Sequence, residues 1–305
     1  MMKPLLIPLT YFCLQTWLGI PQAKCEEELN MTENAFDDQY LGCAKEMEEK
    51  AHKLLTEEMS PPFSTVWQNA RKKWEDVKST SPLRAYKDEY GIALVAYTDK
   101  TEYIEYDGKT FSTTFKAAVK GAGASRAYYM ANFKFKAFHY YLTRALQLLR
   151  EGCKTVYRGD SKSFEYKKGD IRFGHFASSS INKKVAEGFR TKRAIEKGTL
   201  FTIRTCFGVK IQALSYNPDQ EEVLIPVHEK FSVSPKGKNH FDLQSTKQTC
   251  SYFNCAYLGG EKIETCVNNS ATRGGLVFPG VLSPSLFGGS IILVHVAALK
   301  LFAGF

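Results

Sequence analysis

Gln220-Glu221-Glu222-Val223-Leu224-Ile225-Pro226 is the informative stretch of this sequence, because it places acidic residues directly before an apolar run. We expect the run to form a buried strand, on which positions two apart share a face. Gln220 and Glu222 then point into one space, and Glu221 points away. A solvated acidic turn before a strand is the competing interpretation, since acidic residues are common in turns.

Both ends of the chain carry segments that are typical of secreted and surface-anchored proteins. Residues 1–23 contain Lys3, an apolar run and the small residue Ala23, which is the layout of a secretory signal peptide. Residues 267–305 combine small residues, a spacer and a short apolar tail, which indicates a glycolipid-anchor signal that is removed on processing. A permanent membrane helix is the poorer interpretation, because it needs about 20 apolar residues. We expect the processed protein to be anchored at the extracellular face of the plasma membrane. A secreted form is the alternative.

The cysteines fit an oxidising compartment. The sequence has eight, and Cys13 lies in the predicted signal peptide. An odd number is left, so we expect one unpaired cysteine, which we assign to Cys25 near the new terminus. No pair has the spacing of a zinc or redox motif, so the other six predict disulfides and no metal. The sequons at Asn30 and Asn268 fit a surface glycoprotein.

The formal net charge of +9 raises the question of a nucleic-acid partner. The basic residues alternate with acids along most helical segments, which is usual for a solvated face. They form no aromatic-laced patch, and a secreted chain seldom meets nucleic acid. We therefore expect no nucleic-acid partner, and at most an attraction to anionic cell surfaces.

The spacing of apolar residues divides the chain near Gly152. From about residue 34 to 150 apolar residues recur at helical spacing, and from about 151 to 266 short apolar or alternating runs predict strands. The predicted strands cover residues 155–157, 171–176, 199–205, 223–226, 230–233 and 241–243. Helices followed by strands predict an α+β domain over residues 24–266 rather than a doubly wound sheet. No glycine-rich phosphate loop is recognisable.

Two more segments of the strand-rich part carry residues that are suited to a binding site. Arg158 ends a predicted strand and is followed by Gly159, so its guanidinium could bind a phosphate or carboxylate through two hydrogen bonds. Ser178-Ser179-Ser180 closes an apolar strand, and Ser178 could hydrogen-bond an acidic partner or a substrate hydroxyl. A helix N-cap is the alternative role, and for Ser180 it is the preferred one.

In this order and at these spacings, the segments resemble the vertebrate mono-ADP-ribosyltransferases, a family of secreted and glycolipid-anchored ecto-enzymes. That family carries an arginine at a strand end, a serine after an aromatic strand and a Glu-x-Glu before a strand. The resemblance extends over nearly the whole processed chain, in the segments 34–40, 42–43, 93–98, 135–149, 156–159, 172–180, 219–226 and 250–260.

The resemblance implies a mostly helical N-terminal half packed on a split, strand-rich core that binds NAD as co-substrate. It places Arg158 near the phosphates or ribose of NAD, Ser178 as a support of the site and Glu222 as the catalytic acid. The resemblance also implies that three further residues contact NAD: Tyr97, His175 and Ser215. His175 stands where the family commonly has glutamine. The resemblance also implies the disulfides Cys43–Cys255 and Cys153–Cys206, which leaves Cys250 and Cys266 for a third.

The chemistry of NAD cleavage gives Glu222 and Gln220 separate roles. Breaking the ribose–nicotinamide bond produces a ribosyl cation-like transition state, which a nearby carboxylate stabilises. The acceptor is then water or the arginine of a cell-surface protein. A guanidinium is cationic, and Gln220 brings a neutral amide to the position where the family has its first glutamate. We expect the enzyme to cleave NAD well and to transfer ADP-ribose to arginine poorly.

Two other classes of protein compete with this interpretation. A catalytically weak or inactive surface antigen on the same scaffold is one, because fold and function separate readily. The joint presence of Arg158, Ser178 and Glu222 favours the enzyme. A lipid-anchored hydrolase of unrelated substrates is the other, but the sequence has no Gly-x-Ser-x-Gly elbow and no metal-ligand cluster.

Overall fold

The computed structural model of the protein describes residues 26–191 and 198–270, which belong to one compact unit. The predicted signal peptide, Cys25 and the predicted anchor signal beyond residue 270 lie outside these ranges. Within them, no helix has the length and apolar character that crossing a bilayer requires.

The first half of the chain is helical, as its apolar spacing predicts. Its helices are α1 (Ala44–Glu58), α2 (Phe63–Val77), α3 (Asp88–Tyr97), α4 (Phe111–Gly121), α5 (Arg126–Asn132) and α6 (Lys136–Leu148). Their apolar faces meet in an aromatic core, in which the Phe115 and Phe138 rings lie edge to face with centroids 4.7 Å apart. Every residue of α3 from Tyr90 to Tyr97 is buried, so this helix lies inside the core rather than on it.

The second half forms the main sheet, and one more helix, α7 (Lys183–Thr191), packs on it. The strands of the described residues are β1 (Glu27–Leu29), β2 (Glu102–Tyr103), β3 (Lys109–Thr110), β4 (Lys154–Asp160), β5 (Phe164–Tyr166), β6 (Ala177–Ser180), β7 (Thr199–Thr205), β8 (Val209–Lys210), β9 (Glu222–Ile225), β10 (Glu229–Pro235), β11 (His240–Ser251) and β12 (Val267–Ser270). The main sheet has the order β10-β11-β7-β4-β6-β9-β8, and β12 also pairs with β11. β7 and β11 run parallel, and the other pairs are antiparallel. The prediction of an α+β fold is confirmed.

The prediction of a strand at 171–176 is wrong. Only Ile171 forms a bridge, to Phe231, and the strand of this region is β6, which begins at Ala177. The physical reason is Gly174, whose φ of +67° turns the chain and whose missing Cβ leaves room for Thr32 at 2.6 Å. The serine cluster therefore lies within the strand, not after it.

Three disulfides join the cysteines of the described residues: the two pairs that the resemblance implies and the third pair that these leave. They are Cys43–Cys255, Cys153–Cys206 and Cys250–Cys266, separated by 212, 53 and 16 residues in sequence. The longest of these loops links the start of α1 to the segment after β11, so it ties the helical part to the sheet. Closing long loops reduces the entropy of the unfolded chain.

A buried ion pair connects three distant segments. Asp37 and Arg172 pair with both side chains fully buried. The Asp37 carboxylate also accepts hydrogen bonds from the backbone N–H groups of Tyr252 and Phe253, at 2.9 to 3.0 Å. Arg172 Nε donates to the carbonyl of Met31 at 2.9 Å. The N-terminal segment, the connection before β6 and the end of β11 are thus held to one another.

Replacing Arg172 by methionine is expected to lower the free energy of unfolding by about 3–5 kcal/mol, because it leaves the Asp37 carboxylate buried without its counter-ion. Urea denaturation of the disulfide-bonded protein measures this. Lys53→Met is the control, since it removes an exposed pair with Glu57 at 3.8 Å and should cost less than about 1 kcal/mol. Equal losses for the two variants would contradict the structural role of the buried pair.

Candidate active site

Glu222 begins β9, and its carboxylate is buried without a hydrogen-bond partner. The residue is 3% exposed, and neither carboxylate oxygen bonds to the described protein. Pairing of β9 with β6 places Glu222 opposite Ser180, and the rest of β9 is buried. Burying a carboxylate without a partner is costly. A buried, unpartnered carboxylate that faces a cavity is therefore a candidate for binding a cationic group.

The residues before β9 form a turn rather than a strand. Pro218–Gln220 make one turn of 3-10 helix, and Glu221 has a φ of +44°. The prediction that Gln220 and Glu222 share a face of one strand is therefore wrong. Pro218 is a turn signal that the prediction did not take into account. Both side chains nevertheless line one cavity. Glu221 turns aside and accepts a hydrogen bond from Asn182 Nδ2 at 3.3 Å.

Arg158 lies within β4, which continues for two more residues to Asp160. Its Nη1 donates to the carbonyl of Ser178 at 2.8 Å, and its Nη2 pairs with Asp160 Oδ2 at 3.1 Å. The guanidinium is thus fixed between β4 and β6. The next residue, Gly159, allows α7 to pack closely on β4, since a Cβ there would lie 1.8 Å from the carbonyl oxygen of Ala186 in α7.

The serines of β6 have different surroundings. The Ser178 hydroxyl lies 3.3 Å from Lys116 Nζ and 3.3 Å from the Tyr97 hydroxyl, so it faces the cavity. Ser180 does not cap α7, contrary to the sequence prediction. Its hydroxyl accepts from the backbone of Asn182 at 2.9 Å, and the Asn182 side chain accepts from Lys184 N at 3.0 Å. The cap is therefore Asn182, two residues later, because Ser180 is held in the strand.

Tyr97, His175 and Ser215 are not among the described residues that line the cavity. Tyr97 is fully buried at the end of α3 and donates to the carbonyl of Phe176 at 2.8 Å. Ser215 accepts from Asn217 N at 3.0 Å, at the start of the turn that leads to Gln220.

His175 Nδ1 lies 2.7 Å from the carbonyl of Phe173. Burial, together with Arg158 and Lys116, lowers the pKa of His175 well below its usual range. The ring is therefore neutral, and because a carbonyl only accepts, Nδ1 carries the proton. The structure thus makes His175 a fixed support under the site, and its predicted contact with NAD stays a prediction.

The cavity is a half-open cleft of about 390 Å³ between α4, α7 and the strands β4, β6 and β9. This volume is within the usual range for small-molecule sites. The cleft brings together four residues that the sequence selected from distant segments: Arg158, Ser178, Gln220 and Glu222. Within residues 26–191 and 198–270, no group of histidine, cysteine and acidic side chains is arranged to hold a metal ion.

Sequence reasoning missed three charged residues of the cleft, Lys100, Lys116 and Asp160. Asp160 could have been identified from the sequence, because it lies two positions after Arg158 on the same strand face. Lys116 lies in α4 together with Lys120, and the local sequence does not distinguish the two. Its pKa is lowered to about 7 by burial and by the neighbouring Arg158 and Lys100.

Known proteins of one enzyme family are similar to this chain in sequence. The sequence profile of the family described as NAD:arginine ADP-ribosyltransferase matches residues 29–251. Human ecto-ADP-ribosyltransferase 5 is 42% identical over 287 residues, which cover 88% of this chain and 94% of that protein. Rat T-cell ecto-ADP-ribosyltransferase 2 is 43% identical over 246 residues, covering 79% and 84%.

Among solved structures, the eukaryotic mono-ADP-ribosyltransferase ART2.2 is similar with a TM-score of 0.67 and 43% identity, covering 76% of this chain and 99% of that one. A variant of ART2.2 with the same similarity was solved in complex with NAD. The chain therefore belongs to the NAD:arginine ADP-ribosyltransferase family. The resemblance seen in the sequence and the assignment as an enzyme are confirmed, and NAD is the co-substrate.

Replacing Gly159 by alanine is expected to push α7 away from β4, because the new methyl group overlaps the backbone of Ala186. We expect a loss of about 1–3 kcal/mol in stability and a higher KM for NAD. Thermal unfolding and steady-state kinetics measure the two effects. Gly152→Ala is the control, since nothing lies within 4 Å of a Cβ there, and a loss of equal size in both variants would count against the close approach.

Proposed function

We propose that this protein is an ecto-mono-ADP-ribosyltransferase in which Glu222 promotes cleavage of NAD and water is the favoured acceptor of ADP-ribose. The observation that carries the proposal is the buried Glu222 carboxylate, which has no partner in the described protein and opens onto a cleft with Arg158 and Ser178. Family membership identifies the reaction as cleavage of NAD and transfer of ADP-ribose. In this proposal the charged residues of the cleft determine which acceptor receives the ADP-ribose.

Arg158 is the residue that we assign to the phosphates of NAD. Its side chain is fixed by Asp160 and by the carbonyl of Ser178, and it lines the cleft. A planar guanidinium binds phosphate oxygens through parallel hydrogen bonds. Ser178 lies between Arg158 and Lys116, so its hydroxyl is placed to hydrogen-bond the substrate and its carbonyl to orient Arg158.

Bond cleavage needs one carboxylate. The electron pair of the bond between ribose C1′ and the pyridinium nitrogen leaves with the ring, so nicotinamide departs neutral without a general acid. Positive charge then spreads over C1′ and the ribose ring oxygen. The Glu222 carboxylate stabilises this charge, and in a site with little water the effect is large. It also accepts a hydrogen bond from a ribose hydroxyl, which gives its buried oxygens a partner.

The acceptor step depends on the other charges of the cleft. Water attacks C1′, loses a proton to solvent and gives free ADP-ribose. An arginine must first bring its cationic guanidinium close and then lose a proton. Of the described carboxylates that line the cleft, Glu222 serves the ribose and Asp160 is paired with Arg158. Gln220 is neutral, so no carboxylate is left for the guanidinium. This supports hydrolysis over transfer to arginine.

We further propose that the enzyme works at the extracellular face of the plasma membrane, attached through a glycolipid anchor or secreted. The relatives named above are ecto-enzymes by name, and the disulfides of the structure suit an oxidising compartment. Arginine side chains of cell-surface proteins are the proposed second class of acceptor. An inactive antigen is less favoured, because a buried carboxylate without a partner costs stability and serves no purpose in such a protein.

Glu222→Gln is expected to lower kcat for nicotinamide release by about 10²–10³-fold, because an amide keeps the shape but removes the charge that stabilises the ribosyl cation. Release of labelled nicotinamide from NAD is the measurement. Glu221→Gln is the matched control, since it makes the same change one residue away, outside the cleft, and should keep nearly full activity. An active Glu222→Gln enzyme would exclude the proposed role.

Gln220→Glu is expected to raise transfer of ADP-ribose to agmatine, an arginine analogue, by about tenfold or more relative to NAD hydrolysis. One charge-assisted hydrogen bond contributes about 1.5–3 kcal/mol, and tenfold corresponds to about 1.4 kcal/mol. Labelled agmatine and free ADP-ribose are measured in the same reaction. Gln244→Glu adds the same charge on the exposed part of β11 and should not change the ratio. A wild-type enzyme that already modifies agmatine as well as the variant does would contradict the proposal.

A further inference from the structure

Lys116 is a charged residue of the cleft that bond cleavage does not use. It extends from α4, and its ammonium group lies 3.3 Å from the Ser178 hydroxyl and 5.2 Å from the centroid of the Tyr97 ring. Both of these partners are neutral. An ammonium that is partly withdrawn from water and has only neutral partners is well placed to bind an anion.

The surroundings of Lys116 specify what kind of anion fits. Arg158 reaches the Ser178 carbonyl from β4, and Lys100 also lines the cleft. Three cations therefore face a cleft whose unpartnered carboxylate is Glu222. NAD has the complementary charges, since its pyrophosphate carries two negative charges and its nicotinamide ring one positive charge. Arrangements of complementary charge fix the orientation of a bound molecule.

We propose that Lys116 is a specificity-determining residue that holds the pyrophosphate of NAD together with Arg158. The inference rests on the proposed function, because it requires that the cleft binds NAD with its ribose at Glu222. It adds to that function a second cation, on a separate helix, whose charge controls affinity for the co-substrate. Arg158 is permanently charged, whereas a lysine ammonium can lose its proton.

The charge of Lys116 is sensitive to pH near neutrality. Burial lowers its pKa to about 7, and the cations Arg158 and Lys100 act in the same direction, whereas Glu222 and Asp160 act against it. These four groups come from β4, from β9 and from the segment between α3 and α4, whereas β6 contributes the uncharged Ser178.

Two other titratable side chains pack beside Lys116. Burial holds the pKa of His175 well below its usual range and that of Tyr97 well above it. Neither side chain therefore changes charge between about pH 6 and 9. Glu58 and Glu229, whose pKa values burial raises to about 7, lie away from the cleft lining, and their titration is common to all variants of Lys116.

The sign of the pH effect follows from the charge of the ligand. The pyrophosphate binds the ammonium form, so bound NAD raises the pKa of Lys116. Affinity for NAD is then full below about pH 6 and falls as pH rises through 7, by up to about tenfold per pH unit. The fall stops above the pKa of the bound form. Binding near pH 8 therefore takes up a proton.

The test measures binding by calorimetry to the full chain that carries Glu222→Gln, so that NAD is not consumed. Adding Lys116→Met is expected to weaken NAD binding by about 10- to 100-fold. Binding of nicotinamide riboside, which lacks both phosphates, should not change. Lys116→Arg should keep the affinity for NAD and remove its dependence on pH. Lys120→Met, one turn later on α4 and paired with Glu27, is the matched control and should leave both ligands unaffected.

The outcomes separate this inference from the function on which it rests. Equal loss of NAD and nicotinamide riboside in Lys116→Met, or a pH dependence that persists in Lys116→Arg, would overturn the role of Lys116 while leaving the proposed function intact. So would a Lys116→Met enzyme with normal Glu222 whose kcat falls at unchanged KM. A wild-type protein that binds neither ligand and releases no nicotinamide would overturn both.

Discussion

The buried pair of Asp37 and Arg172 is the contact on which the position of the cleft depends. Arg172 binds the N-terminal segment through the carbonyl of Met31 and the end of β11 through the carbonyl of Cys250, so one side chain joins three parts of the chain. Two residues later Gly174 turns the backbone, and β6 follows at once with Ser178. β6, which carries Ser178, therefore begins close to a backbone position that the buried ion pair holds in place. Asp38 strengthens the same junction, since it accepts hydrogen bonds from Cys255 and Ala256.

The structure treats its buried acidic groups in two opposite ways. Asp37 and Asp38 are surrounded by backbone N–H donors, so their burial is compensated and they act as structural supports. Glu229 is similar, since it accepts from Thr205 and the backbone of Cys206. Glu222 alone among these four has both oxygens unsatisfied. This contrast supports the proposed role of Glu222. Its carboxylate has no hydrogen-bond partner in the described protein and can therefore stabilise positive charge that develops on a substrate in the cleft.

The sequence predicted this protein unevenly, and the differences have physical causes. The change from helical to alternating spacing was readable, because burial imposes a different period on helices and strands. Arg158, Ser178 and Glu222 were selected through their order in the chain, and the structure brings them to one cleft. The failures at 171–176 and at Gln220 both arise where the backbone turns shortly before a strand begins, at Gly174 and at Glu221. Local apolar pattern does not record such turns.

Lys116 shows a further limit, because nothing in its neighbourhood along the chain distinguishes it from Lys120, the other lysine of α4. Only the packing of α4 against β6 brings it to Ser178. Its position also bears on the choice of acceptor. In the proposed complex the pyrophosphate offsets the charges of the cations that line the cleft, so these cations offer an approaching guanidinium no attraction. Water is neutral and needs no such attraction. The lack of a carboxylate at Gln220 thus supports the proposal that water is the favoured acceptor.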